Sequence, residues 1–227
     1  TCALPISDPR IVFGSSFEVA IYHKQLRKVG GDFYDFFMLP DGRHAIGVCD
    51  VSGHGVSAAL VTTFLKAQFA QATKLLNSPS AILDWVNRSA SGFLKEVRHY
   101  SSVAFVSFSG DFCRYVTGGG YGFMVRQQAG KPFKRSSNVI GMGAIPFQEF
   151  ELPIGPGDTL ALYTDGLFAA QGADETFYTS RRLNELILAN CQKTPQAILD
   201  ICIKDYVGFR RADADDITLV ILRKRGP

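Results

Sequence analysis

The chain has 227 residues, of which 46% are apolar and 20% charged, and its formal net charge is +3. This composition excludes a disordered polymer, and no apolar run reaches the roughly 18 residues that a membrane span requires. Basic residues group only locally, at Lys131, Lys134 and Arg135, at Arg210 and Arg211, and at Arg223, Lys224 and Arg225. Without interleaved aromatics these are solvated faces rather than a nucleic-acid footprint.

In chain order, Phe17 to Tyr22 alternates and predicts a strand. Phe33 to Leu39 and His44 to Cys49 predict a hairpin around Pro40-Asp41-Gly42-Arg43. A helix is expected from Val56 to Leu76, with Leu60, Phe64 and Ala67 on one face. Ser78-Pro79 opens a second helix, with proline at its first position. The period then changes to two. Ser102 to Ser109 and Phe112 to Thr117 form a hairpin, and Tyr121 to Gln127 pairs with Phe133 to Ser136 around Ala129-Gly130-Lys131. Phe150 to Ile154 and Thr159 to Thr164 add two strands. Helices follow at Phe177 to Asn190 and from Thr194-Pro195 to Phe209, and Asp216 to Leu222 closes the sheet. Many antiparallel strands, with one helix pair early and one late, predict two packed sheets covered by helices. No repeat or linker divides the chain, so one domain over 1–227 is expected.

Four apolar segments meet carboxylates at their ends. Ala45-Ile46-Gly47-Val48-Cys49 runs into Asp50-Val51-Ser52-Gly53-His54-Gly55. Leu160-Ala161-Leu162-Tyr163-Thr164 runs into Asp165-Gly166. Asp215-Asp216 opens Ile217 to Leu222, and Gly30-Gly31-Asp32 precedes Phe33-Tyr34-Asp35. Any one of these is ordinarily a turn residue or a helix cap. Together they form the all-oxygen donor set that magnesium or manganese prefers. The other constellations are weaker. Ser52 lacks the Gly-x-Ser-x-Gly elbow of a nucleophile. Gly118-Gly119-Gly120 lacks the following Lys-Ser/Thr of a phosphate loop and is expected to be a strand connection. His23, His44 and His99 have no ligand-like neighbour in sequence.

The motifs Gly30-Gly31-Asp32-Phe33-Tyr34-Asp35 and Asp50-Val51-Ser52-Gly53-His54-Gly55 with Ala58-Ala59-Leu60 resemble the SpoIIE-like branch of the type 2C (PPM) metal-dependent serine/threonine phosphatases. Gly157-Asp158-Thr159-Leu160 leading to Tyr163-Thr164-Asp165-Gly166-Leu167 is similar to that branch's second metal motif, and Asp215-Asp216-Ile217-Thr218-Leu219-Val220 to its last. The resemblance runs from about Val12 to Arg223. Two segments depart from it: Gly118 to Gly122 stands where a Gly-His-Pro-like segment is common, and Phe168-Ala169-Ala170 where Thr-Glu-Ala is common.

The resemblance implies an α+β fold, a four-layer α-β-β-α sandwich of two antiparallel sheets flanked by helix pairs. It implies two divalent cations, manganese or magnesium. Asp50 would bridge them, Asp32, through waters or directly, and the Val51 carbonyl would contact one, and Asp165 and Asp215 the other, with Asp35 and Asp216 as supporting carboxylates, either of which could trade places with its neighbour. The expected reaction is hydrolysis of a phosphoserine or phosphothreonine by a water that the cations activate, since so slow a reaction needs a large barrier reduction. His54 has two readings, a general acid or a local cap of the glycine turn. The implied partner is a phosphorylated regulatory protein of the STAS type in bacterial partner switching, with no nucleic acid and no direct membrane contact; a homodimer stays open. Two other readings are a catalytically weak phosphatase-like module that binds a phosphoprotein and a calcium-binding structural domain.

Five cysteines, an odd number without paired spacing, read as buried thiols in a reducing compartment, hence cytoplasmic, free or as the cytoplasmic domain of a membrane-anchored sensor. Thr1-Cys2-Ala3 carries neither a signal-peptide pattern nor an initiator methionine, which fits the C-terminal effector of a longer sensor protein.

Overall fold

The computed structural model describes Phe13 and residues 16–136, 138–143 and 145–226; the Thr1-Cys2-Ala3 start and Val12 lie outside them. The strands are β1 (Phe17–Lys24), β2 (Phe33–Met38), β3 (His44–Val51), β4 (Ser101–Ser109), β5 (Phe112–Gly118), β6 (Tyr121–Arg126), β7 (Ala129–Pro132), β8 (Phe150–Pro153), β9 (Thr159–Tyr163) and β10 (Ile217–Lys224). The helices are α1 (Val56–Leu75), α2 (Pro79–Val97), α3 (Ser180–Ala189) and α4 (Pro195–Phe209). The described strands form two antiparallel sheets, ordered β1-β10-β9-β6-β7 and β2-β3-β4-β5-β8.

Period-two alternation builds the layers. Along β10, Leu219 and Ile221 face the α3–α4 side with Leu183, Ile198 and Tyr206. Val220 and Leu222 face the other sheet, against Phe36, Ile46 and Val106. The second sheet buries Phe37, Ala45 and Phe105 beneath Leu65, Phe69, Ile82 and Leu83 of α1 and α2. The result is the α-β-β-α sandwich that the sequence predicts. Ser78 and Thr194 cap α2 and α4 ahead of their prolines, accepting from the Ala81 and Ala197 amides. Among the described residues, no helix is long and apolar enough to cross a membrane.

Three expectations need correction. The packed stripe of α1 is Ala58, Val61, Leu65, Phe69 and Ala72, whereas Leu60 is 65% exposed. Both stripes are apolar at helical spacing, and only the direction in which the chain leaves β3 selects one. The third hairpin turns at Gln127-Gln128, both with positive φ, and Gly130 lies within β7. A Cβ on Gly130 would meet the Phe123 ring at 2.4 Å, so this glycine marks a close approach rather than a turn. Finally, α3 starts at Ser180, capped by Thr179, while Phe177 pairs with Gln171 in a β-bridge. Cys191 consequently lies beyond the end of α3.

Candidate metal centre

The inner faces of both sheets turn polar at one end, and the alternation carries this through. On β9, the Leu160 and Leu162 positions continue to Thr164. On β10, Leu222 and Val220 lead to Thr218; on β1, Val19 and Ile21 lead to His23. In the second sheet, Phe36 and Tyr34 lead back to Asp32, and Ile46 and Val48 lead on to Asp50. The register pairs Phe33 with Cys49, which puts Asp32 beside the Asp50 end of β3. The polar ends therefore face one another across the mouth of the sandwich.

Asp32 lies at the back of this mouth, 1% exposed. The Thr164 and Thr218 hydroxyls both donate to its Oδ2, each at 2.7 Å. Burial raises its pKa to about 8 despite those bonds, and the negative charges of Asp216 and Asp215 add to the rise. Asp50 is pushed up to about 9, first by burial and then by the charges of Asp32 and Asp165. Side-chain hydrogen bonding with Asp165 adds to that rise. Asp215 is half-buried and raised by desolvation, and both Asp165 and His54 act on it electrostatically. Asp165 and His54 are exposed, at the rim.

The structure thus brings Asp32, Asp50, Asp165 and Asp215 within mutual electrostatic reach. Among the described residues, no three ligand-type side chains already ring one ion-sized point. The donor chemistry nevertheless fits divalent cations. Four carboxylates share the mouth as an all-oxygen donor set, and hard divalent cations would relieve their mutual repulsion.

Asp216 and Asp35 play other parts. Asp216 turns away and accepts the Leu26 and Gly31 amides, each at 2.7 Å. A Cβ on Gly30 would stand 2.0 Å from Asp216 Oδ2, which accounts for glycine there. Asp35 lies on β2 opposite Gly47, with its carboxylate 3.9 Å from the buried Lys66 ammonium of α1. The Val51 amide donates to the Gly31 carbonyl at 3.3 Å, which ties the first motif to the second. His54 does not cap α1: the cap is Gly55, with φ 81° and no side-chain hydrogen bond.

Sequence reasoning missed two histidines. His99, after α2, reaches the Ser52 carbonyl through Nδ1 at 2.6 Å and the Ser57 hydroxyl through Nε2 at 2.8 Å. The Ser52 amide donates to the Tyr100 carbonyl, and the Tyr100 amide to the Ser52 hydroxyl. The loop after Asp50 is thereby fastened to the end of α2. His23 Nδ1 lies 2.9 Å from Thr218 Oγ1. A readable signal existed for His23, because it continues the inward positions of β1. None existed for His99, whose contacts span 47 residues.

Known proteins are similar to this chain in sequence and in fold. The sequence family described as Stage II sporulation protein E (SpoIIE) matches residues 40–225. Protein IcfG of Synechocystis sp. is 27% identical, over 96% of this chain and 39% of its own length. Phosphoserine phosphatase RsbP of Bacillus subtilis is 26% identical, over 69% of this chain and 41% of its own. The chain therefore spans about two fifths of these curated relatives. The SiaA-PP2C domain of Pseudomonas aeruginosa superposes with a TM-score of 0.85 at 24% identity, over 95% of this chain and 88% of that one. With residues 40–225 matched, the chain belongs to the SpoIIE family, and its fold is that of the PP2C domain on which it superposes.

Proposed function

We propose that this chain hydrolyses a phosphoserine or phosphothreonine on a regulatory protein, with two divalent cations, manganese or magnesium, held by its mouth carboxylates. The observation that carries this reading is the position of Asp50, which feels the charges of Asp32, Asp165 and Asp215 at once. In this reading Asp50 would be shared by the two cations, Asp32 and the Val51 carbonyl would help hold one, and Asp165 and Asp215 would hold the other. Bound cations would offset the charge of the phosphoryl group and lower the pKa of a water nucleophile.

The protein's own groups do the rest. Thr164 and Thr218 fix Asp32, the His99 clamp fixes the loop that follows Asp50 and Val51, and Asp216 fixes the Gly30-Gly31 turn. His54 stands exposed near Asp215, where it can reach a seryl or threonyl leaving oxygen and protonate it. A substrate of the STAS type, in bacterial partner switching, is what the resemblance of the motifs implies, and RsbP, by its name a phosphoserine phosphatase, supports phosphoserine. A cytoplasmic placement goes with that partner class.

The test is turnover of p-nitrophenyl phosphate and of a phosphorylated STAS protein, with and without manganese. Manganese-dependent hydrolysis of both is expected, and Asp50→Ala should abolish it. Binding of the phosphoprotein without turnover would replace the enzyme by a recognition module. Stabilisation by calcium without turnover would replace it by a structural ion site. Unchanged kcat in His54→Ala removes the general-acid role.

A further inference from the structure

Behind Asp32 lies a short chain of hydrogen bonds that the reaction itself does not use. Asp32 Oδ2 takes two hydroxyl donors, Thr164 Oγ1 and Thr218 Oγ1, each at 2.7 Å. A hydroxyl has one hydrogen and rotates freely, so each needs something to aim it. Thr164 Oγ1 is aimed by the Thr218 backbone amide, which donates to it at 2.9 Å. Thr218 Oγ1 has His23, whose Nδ1 lies 2.9 Å away on the paired position of β1.

The tautomer of His23 follows from two independent constraints. The Thr218 hydrogen is committed to Asp32, so the contact is satisfied only if His23 Nδ1 carries a proton and donates. Its Nε2 is buried and has no hydrogen-bond partner among the described residues. A proton there would be a stranded donor, which costs more than a stranded lone pair. The ring packs edge-on against Tyr34, and Asp216 and Lys66 are the charged groups that act on it. Burial lowers its pKa, which keeps the ring neutral at pH 7.

We infer that His23 is a positioning residue for the carboxylate mouth: its Nδ1–H orients the Thr218 hydroxyl, which in turn keeps Asp32 correctly turned. This rests on the reading of Asp32 as a cation ligand. Without His23 the Thr218 hydroxyl rotates, and Asp32 loses one of two directed donors. Groups that orient metal ligands in this way typically change metal affinity by about 10–100-fold when removed.

The test combines nitrogen-15 NMR of the metal-free protein with Mn2+ titration calorimetry. The imidazole signal lost in His23→Asn should show Nδ1 protonated and Nε2 bare in the wild type. His23→Leu should weaken Mn2+ binding by about tenfold or more. His23→Asn should restore most of that binding, because its amide nitrogen overlays Nδ1. In a Thr218→Val background His23→Leu should cause no further loss, since both changes cut one chain. An Nε2–H ring overturns the inference without reference to any metal. So does an unchanged Mn2+ affinity in His23→Leu when Asp32→Asn weakens it. Unchanged affinity in Asp32→Asn as well points instead to failure of the ligand reading, and the NMR result then decides the His23 contact by itself.

Discussion

Asp216 Oδ2 accepts the Gly31 amide at 2.7 Å, across 185 residues of sequence. This one carboxylate ties the last acidic motif to the first and also receives the Leu26 amide through Oδ1. Asp216→Ala would leave two amides without their acceptor, and a loss of about 1–3 kcal/mol per stranded group is expected. Urea denaturation of the metal-free protein measures it; a midpoint unchanged from wild type would contradict this role.

The mouth carboxylates make the cation-free protein sensitive to alkali. Asp32 and Asp50 have folded pKa values of about 8 and about 9, above the ordinary 3.8. A raised acid contributes stability that is full below its unfolded pKa and is lost as pH rises through the folded one. Thermal stability without metal should therefore fall from about pH 4 towards pH 9, and manganese should flatten that fall. Asp50→Asn should be more stable than wild type at pH 8 without metal, and inactive. A flat metal-free profile would count against the crowding of charge at the mouth.

The His99 clamp predicts a catalytic defect at a distance. His99→Ala frees the Ser52 carbonyl and Ser57 hydroxyl, and kcat/KM should drop by about tenfold or more, as for other groups that orient ligand-bearing elements. Ser57→Ala, which removes only the outer contact, should cost less. Equal activity in all three proteins would show that the loop after Asp50 holds itself.

Helix α1 offers a comparison of two leucines five residues apart on different faces. Leu65 is fully buried beneath Phe69 and Phe105, whereas Leu60 is 65% exposed. Leu65→Ala should cost about 2–5 kcal/mol and Leu60→Ala no more than about 0.5 kcal/mol in chemical denaturation. The reverse order would restore the face that the sequence suggested.

Acid stability should depend on the outer helix layer. Arg182 grips Asp205 with both Nε and Nη2, and Tyr178 donates to the same carboxylate. Hydrogen bonding from Arg182 is the main cause that holds the Asp205 pKa below its ordinary value. A depressed acid contributes stability above its unfolded pKa and loses it as pH falls through the folded one. Wild type should therefore lose its advantage over Asp205→Asn as pH drops below about 4, which thermal melts against pH would show.

Much of the fold was legible because its signals are local. The continuous β-branched and apolar run Ile217 to Leu222 marks a buried strand, and Ser78-Pro79 and Thr194-Pro195 carry their own caps. The errors fell where two local signals competed. Gly130 looked like a turn, yet the adjacent Gln127-Gln128 pair makes it; α1 offered two apolar stripes and the sheet accepted one. For the mouth, strand-end aspartates were visible as types, and period-two counting extends to Thr164, Thr218 and His23 on the same inner face.

By itself the sequence determined the strands and helices, the glycine turns and the set of carboxylates, since each follows from neighbours a few residues apart. Only the tertiary structure decided that Asp216 accepts the Gly31 amide, that Asp35 lies against Lys66, and that His23 meets Thr218 and His99 meets Ser52. Those assignments depend on side-chain direction and on partners 47 to 195 residues away, and no local pattern encodes either.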